Sequence, residues 1–417
     1  MRPAHRWLVL GVCTLSFMQT HVHRVAFAPL IPIFIAELGI TYTAAGTIMT
    51  AYFWTYTAVQ VPIGIMTDRL GARRVMLAFM AVLLLGVGVF ALSGSYAQAL
   101  VGRCLVGLGA AAVWLPGLRL INEWFPPEER GRVTGIFSSG GGIGATAALL
   151  GIPLLAEQFG WRWGYALTLV PVLVTLAAIA LVIRPGPLGA AQRNRRPAAG
   201  GSAVGSVGGS SALGALAGVL GTPALWTFNL AVLLSFGAYI GLVTWLPAFL
   251  VRSEGLSRSA AGLVTALMTA GTIISWPVAG FLSDRLRRRK AVWLFSQGMS
   301  VPVCLAFAFV VPGSGVGGAI TVAVLTGLVL GGMVTPFVMV AELFPPHLVG
   351  TASGVVNTFT FVGALVIPVL LGAVLDVSGS FPAAFVACAG VQALAFLTAC
   401  FTREAGLSGR AMMGTPS

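Results

Sequence analysis

Twelve apolar stretches, each about as long as a bilayer is thick, run the length of this 417-residue chain. They cover roughly 7–37, 43–66, 75–93, 97–123, 133–156, 162–183, 223–250, 259–282, 291–311, 316–341, 350–375 and 382–402. A membrane-spanning helix needs about 20 apolar residues. No water-soluble domain of this size could cover 57% hydrophobic side chains with only 8% charged ones, because a globular fold needs a polar surface. The chain therefore reads as an all-α polytopic membrane protein of twelve helices in two six-helix bundles. Its first apolar stretch is too long for a cleaved leader and reads as the first span.

The net charge of +13 would suggest nucleic acid in a soluble protein; here the placement of the basic residues explains it. With the N-terminus in the cytoplasm, 18 basic residues fall in cytoplasmic segments, among them Arg69, Arg73, Arg74, Arg130, Arg132 and the run Arg287-Arg288-Arg289-Lys290. Only Arg162, Arg252 and Arg258 fall on the other side. That asymmetry is the positive-inside pattern and predicts a multi-pass inner (plasma) membrane protein with both termini cytoplasmic. The one long connection, 184–222, is rich in Gly, Ser, Ala and Pro and carries Arg193, Arg195 and Arg196. It predicts a flexible cytoplasmic linker between an N-terminal bundle, 1–183, and a C-terminal bundle, 223–402, with a cytoplasmic tail at 403–417.

The halves repeat. PIGIMTDRL at 62–70 returns as VAGFLSDRL at 278–286, so that Gly64, Asp68 and Arg69 match Gly280, Asp284 and Arg285, 216 positions on. Glu123-Trp-Phe-Pro-Pro returns as Glu342-Leu-Phe-Pro-Pro, 219 positions on. Duplicated bundles are how many transporters build a site between two halves. Metal clusters, nucleophile–base motifs and C-x-x-C pairs are missing from the sequence, and Gly140-Gly-Gly-Ile-Gly144 lies within a span with no strand before it, which makes it helix packing and not a phosphate loop. Neither an enzyme nor a bound cofactor or metal is expected.

The loop Gly64-Ile-Met-Thr-Asp68-Arg69-Leu-Gly71-Ala-Arg73-Arg74 resembles the signature loop of the major facilitator superfamily, with Ala72 where a basic residue is usual. Arg103-Cys-Leu-Val-Gly107-Leu-Gly109 resembles that family's buried-arginine motif. Trp124-Phe-Pro-Pro-Glu-Glu-Arg130-Gly131-Arg132, with Phe53-Trp54 and Gln60-Val-Pro62-Ile-Gly64 before it, is similar to the anion:cation symporter branch, which carries organic anions such as sugar acids. The resemblance implies a conformational latch at Gly64, Asp68, Arg69, Gly71 and Arg73, repeated at Gly280, Asp284 and Arg285. It also implies that Arg24 and Arg103 bind the carboxylate of a substrate.

The residues agree with an anion site. Arg24 lies past the middle of the first span, where a charge is costly unless it faces water or a partner, and His21 shares its helical face. All eleven acids sit at span ends or in loops, so the middle of the protein is positive. Arg119 reads either as a ligand or gate or as the local partner of Glu123, and Tyr239 and Asn357 are hydrogen-bonding candidates in the second half. Proton-coupled members of the branch carry carboxylates where this chain has His23 and Ala110, which leaves anion exchange or a proton carried by His21 or His23. The expected function is secondary transport of a small organic anion, a carboxylate, by a protein that works as a monomer amid membrane lipid, with no nucleic-acid partner. The rivals are a drug or metabolite efflux pump of the same superfamily and a transporter-like sensor that binds without flux.

Overall fold

A computed structural model of the protein describes residues 4–184, 186, 212–345 and 348–402. Arg193, Arg195, Arg196, Arg403 and Arg410 of the expected linker and tail lie outside them. Eleven helices are long and apolar enough to cross a membrane: α1 (His5–Leu38), α3 (Ala72–Ala91), α4 (Tyr96–Trp124), α5 (Glu128–Phe159), α6 (Trp161–Val182), α7 (Pro223–Arg252), α8 (Arg258–Leu286), α9 (Arg289–Phe309), α10 (Gly315–Val340), α11 (Val349–Ser378) and α12 (Phe381–Cys400). The twelfth expected span, α2, is present in two pieces, Tyr42–Ala58 and Gln60–Leu70, interrupted at Val59. Ahead of α7 stands a short helix, Ala212–Leu220.

Backbone contacts group the described chain into two compact units. The first holds α1–α6 together with residues 243–270 and 368–379; the second holds 212–242, 271–367 and 380–402. The first unit thus contains one end of α7, α8 and α11, packed with α2 and α5 at the end opposite the arginine-rich loops. Here the internal repeat shapes the packing. A Cβ on Gly46 of α2 would stand 3.1 Å from the Pro368 carbonyl oxygen of α11, and one on Gly262 of α8 would stand 2.3 Å from that of Leu149 on α5. Gly262 follows Gly46 by 216 positions and Pro368 follows Leu149 by 219, so one close helix crossing is built twice.

Each crossing carries the same polar clasp. The first N–H groups of a helix have no partner within it. At α2, Thr41 takes the Ala44 N–H at 3.1 Å, and Asp376 at the end of α11 takes those of Tyr42 and Thr43, both at 2.8 Å. At α8, Ser257 takes the Ala260 N–H at 3.1 Å, and Glu157 at the end of α5 takes that of Ser259 at 2.9 Å. A carboxylate at a helix N-terminus also gains from the helix dipole, by about 0.3–1 kcal/mol where exposed.

The arginine-rich end carries a latch in each unit, with the bridging arginine drawn from a different place. In the first, Arg119 of α4 bridges Asp68 at 2.9 Å and Glu123 at 3.0 Å, while Arg73 turns to the Ala180 carbonyl. In the second, Arg289, the counterpart of Arg73, bridges Asp284 and Glu342, both at 2.7 Å. The position corresponding to Arg119 is Val338, so the second unit has no α10 arginine to use. Gly71 turns the first loop at φ +84°, and Arg287, its counterpart, takes φ +52°, a region that costs a residue with a Cβ some strain.

Inside the first unit, α1 is not one helix. It runs regularly to Val25, passes a 3-10 turn at Ala28–Leu30 and resumes at Ile31–Leu38. Pro29 and Pro32 have no N–H to give to the preceding turn, and the last carbonyls of the regular helix, those of His23 and Arg24 among them, are left for donors outside it. Arg103 of α4, fully buried, supplies them. Its Nη1 donates to the His23 carbonyl at 2.5 Å and Nη2 to that of Arg24 at 3.1 Å, and the same guanidinium reaches the Ile48 and Met49 carbonyls of α2 at 3.3 and 3.2 Å. In hydrocarbon such carbonyls have no water to turn to.

Arg103→Leu should therefore lower the melting temperature of the purified protein by several degrees, since each carbonyl left without a donor costs about 1–3 kcal/mol. Arg103→Lys, with a charge but no planar fork, should fall between. Melting of Arg103→Leu within a degree of wild type would show that the break is closed by something else.

Candidate functional site

The helix that Arg103 holds together presents Phe17, His21 and Arg24 at four- and three-residue spacing, hence on one face. All three are half-buried. Arg24 lies in the last turn of the regular part of α1, with its guanidinium over the rings of Tyr52, Phe53 and Tyr56 at 5.6, 5.8 and 5.5 Å. This aromatic seat on α2 attracts the cation electrostatically through the ring faces. Tyr52 donates its hydroxyl hydrogen to the Thr20 carbonyl at 3.3 Å, which fixes the ring against α1.

One turn earlier, His21 Nδ1 lies 3.1 Å from the Phe17 carbonyl oxygen. The other ring nitrogen, Nε2, stands over Gly141 of α5, where a Cβ would lie 3.0 Å away. The glycine run singled out in the sequence works here as helix packing: Gly140 and Gly144 bring α5 against the Thr14 and Met18 carbonyls of α1. Gly141 keeps the space beside the imidazole open. Phe17 completes this wall, 4.4 Å from the His21 ring and 5.0 Å from both Trp114 of α4 and Phe137 of α5.

The structure brings Arg24 and His21 onto one surface but places the other expected residues elsewhere. Arg103 was expected beside Arg24 at the anion; it lies behind the helix, fully buried, with its guanidinium on backbone carbonyls. His23 is also fully buried, its ring 5.9 Å from that of Tyr165, so the two histidines do not share a surface. Arg119 is engaged by Asp68 and Glu123 at the helix ends. Tyr239 is half-buried and Asn357 exposed, both in the second unit. Around Gly64 and Gly280 a Cβ would meet nothing within 4 Å, so neither glycine serves a close helix approach in this conformation.

Several described carboxylates are engaged at helix ends: Glu37 with Arg162 and Trp161, Glu129 with Arg6, and the clasp and latch acids above. Among the described residues, no group of three His, Cys, Asp or Glu could hold a metal ion. Tyr52 and Tyr56, which stand against Arg24, are positions that sequence reasoning passed over. Aromatics at 52 and 56 on one face of α2 were a visible signal, but the sequence does not say which helix they face.

The break in α4 adds a second mark of the repeat. Its regular helix stops at Ala110 and resumes at Trp114; α10 stops at Val329, passes a 3-10 turn at Leu330–Val334 and resumes at Thr335. Interrupted helices at corresponding positions of two halves are a feature of secondary transporters.

Comparison with known proteins agrees with this frame. A nitrite extrusion protein of Bacillus subtilis is 27% identical over 340 residues, which cover 81% of this chain and 80% of that protein. A probable sulfoacetate transporter of Cupriavidus necator is 25% identical, with 94% of this chain and 93% of that one covered. Among solved structures, a bacterial homologue of the lysosomal transporter Spinster, inward-facing and unoccupied, matches the fold with a TM-score of 0.81 at 18% identity, over 96% of this chain and 98% of that one. The sequence matches the Major Facilitator Superfamily over residues 9–259 and 249–411, in keeping with the duplicated loops and paired helix breaks, and the chain belongs to that superfamily of membrane transporters.

Proposed function

We propose that the protein carries a small organic anion across the membrane by alternating access, with the substrate carboxylate on Arg24. The observation that carries this reading is Arg24 itself: a half-buried guanidinium within the first span, seated on the faces of Tyr52, Phe53 and Tyr56. A planar fork suits a carboxylate because it can give two parallel hydrogen bonds. The relatives support an anion, being named for nitrite and sulfoacetate. Arg103 acts in this proposal as a positioning residue that fixes the last turn of α1, and His21 offers Nε2 to the same anion.

Gating follows from the duplicated ends. The Asp376 and Glu157 clasps hold the α2–α11 and α5–α8 crossings shut at one end, and the Asp68–Arg119–Glu123 and Asp284–Arg289–Glu342 latches stiffen the helix ends at the other. We assign the arginine-rich end to the cytoplasm and the clasps to the outer side. Opening outward then requires both clasps to release their helix N-termini. With the acids of the sequence at span ends or in loops, the site reorients most cheaply with an anion on Arg24, and the carrier works as an anion exchanger.

Three outcomes check this. In proteoliposomes, Arg24→Lys should raise the KM for anion uptake about tenfold or more, although charge is conserved; a wild-type KM contradicts the ligand role. Anion trapped inside should accelerate uptake in wild type, whereas accumulation driven by a pH gradient in His21→Gln contradicts exchange, and saturable binding without flux makes the protein a sensor. For the clasps, spin labels on Ile40→Cys and Val377→Cys should report a longer, broader distance when Asp376→Asn and Glu157→Gln are combined. An unchanged distance distribution removes the clasps from the gate.

A further inference from the structure

The wall next to Arg24 says more about the anion than its charge. Four hydroxyls along it are already committed to the backbone. Thr14 donates to the Leu10 carbonyl at 2.9 Å, Thr20 to Phe17 at 2.8 Å, Tyr52 to Thr20 at 3.3 Å and Thr55 to Cys104 at 2.6 Å. His21 spends Nδ1 on the Phe17 carbonyl. Apart from the Tyr56 hydroxyl and the Trp114 indole N–H, what this wall presents to a ligand is one guanidinium, one imidazole nitrogen and aromatic faces. Phe17 and Trp114 are half-buried, with rings 5.0 Å apart, and Trp114 stacks on the buried Phe137 at 5.1 Å with planes 14° apart. From Arg24 to Phe17 is seven residues, about 10 Å along the helix, with His21 between.

We propose that the substrate is a carboxylate on a flat apolar or aromatic body, its carboxylate on Arg24 and its ring over His21, Phe17 and Trp114. This rests on the reading that Arg24 binds an anion, and narrows it. A polyhydroxylated acid would bring many hydroxyl groups to a wall whose threonine hydroxyls are turned to the backbone, and would lose more water than the few polar groups there could replace. A flat ring loses little water and gains stacking with Trp114 and Phe17. Gly141 is part of the same design, since a methyl there would press on His21 Nε2 and on Phe17 Cε1, 3.0 and 3.1 Å from its position.

The test is uptake into proteoliposomes holding the full-length protein, with benzoate, acetate, glucuronate and nitrate as the probes. Benzoate should have a KM about tenfold or more below that of glucuronate or nitrate. Trp114→Ala should raise the benzoate KM about tenfold and leave that of acetate within about twofold. Trp114→Phe should keep most of the benzoate affinity, and Gly141→Ala should lose it. Should Trp114→Ala not fold, the Trp114→Phe and Gly141→Ala pair carries the same contrast. Saturable uptake that prefers glucuronate or nitrate, or a Trp114→Ala effect equal on benzoate and acetate, overturns the flat-body inference and leaves the anion reading standing. Absence of saturable uptake for all four probes overturns both.

Discussion

A guanidinium buried behind a broken helix organises this protein. Lipid cannot hydrogen-bond a carbonyl, so a break in α1 at membrane depth is tolerated only if something in the protein closes it. Arg103 does so with donors to the His23 and Arg24 carbonyls on one side and to the Ile48 and Met49 carbonyls on the other. Burying the charge costs several kcal/mol; hydrogen bonds from a charged donor return about 1.5–3 kcal/mol each. The consequence for function is geometric. The last regular turn of α1 is fixed against α2, and that turn carries Arg24 over the rings of Tyr52, Phe53 and Tyr56. Two arginines with the same chemistry thus have separate work, one on backbone and one on a half-open surface.

The rest of the frame is duplication put to use at helix ends. The close glycine crossing, the hydroxyl cap and the acid clasp of α2 with α11 recur for α8 with α5 at the same two spacings, 216 and 219. Repetition is not copying, however. Asp68 and Glu123 match Asp284 and Glu342, yet the arginine between them comes from α4 in one unit and from the start of α9 in the other. The acids fix where positive charge is needed, and either neighbouring helix can supply it.

Much of this was legible in the sequence because bilayer length, arginine placement and internal repeats are one-dimensional signals. Eleven of the twelve expected spans stand among the described residues as helices long and apolar enough to cross, and the twelfth, α2, is divided at Val59. The clasp acids were legible too: Glu157 and Asp376 stand 219 positions apart, as Glu123 and Glu342 do, but an acid at a span end shows no partner until the helices are placed. The position of Arg103 follows from a motif, whereas its hydrogen-bond partners depend on where α1 breaks. Pro29 and Pro32 were the visible sign of that break. For His21 and His23 helical spacing already put the first on the face of Arg24 and the second off it, and packing adds that His23 is sealed beside Tyr165.

The division of labour between the two arginines is the central claim, and a double-mutant cycle on equilibrium anion binding tests it most directly. Binding of a labelled carboxylate to purified protein would be measured for wild type, Arg24→Gln, Arg103→Lys and the pair. If Arg103 acts on the anion only by positioning Arg24, then Arg103→Lys weakens binding in wild type but adds almost nothing once Arg24 is gone, and the losses are strongly non-additive. Losses that simply add would mean that Arg103 meets the anion on its own account, and would contradict the assignment of the buried guanidinium to the helix break.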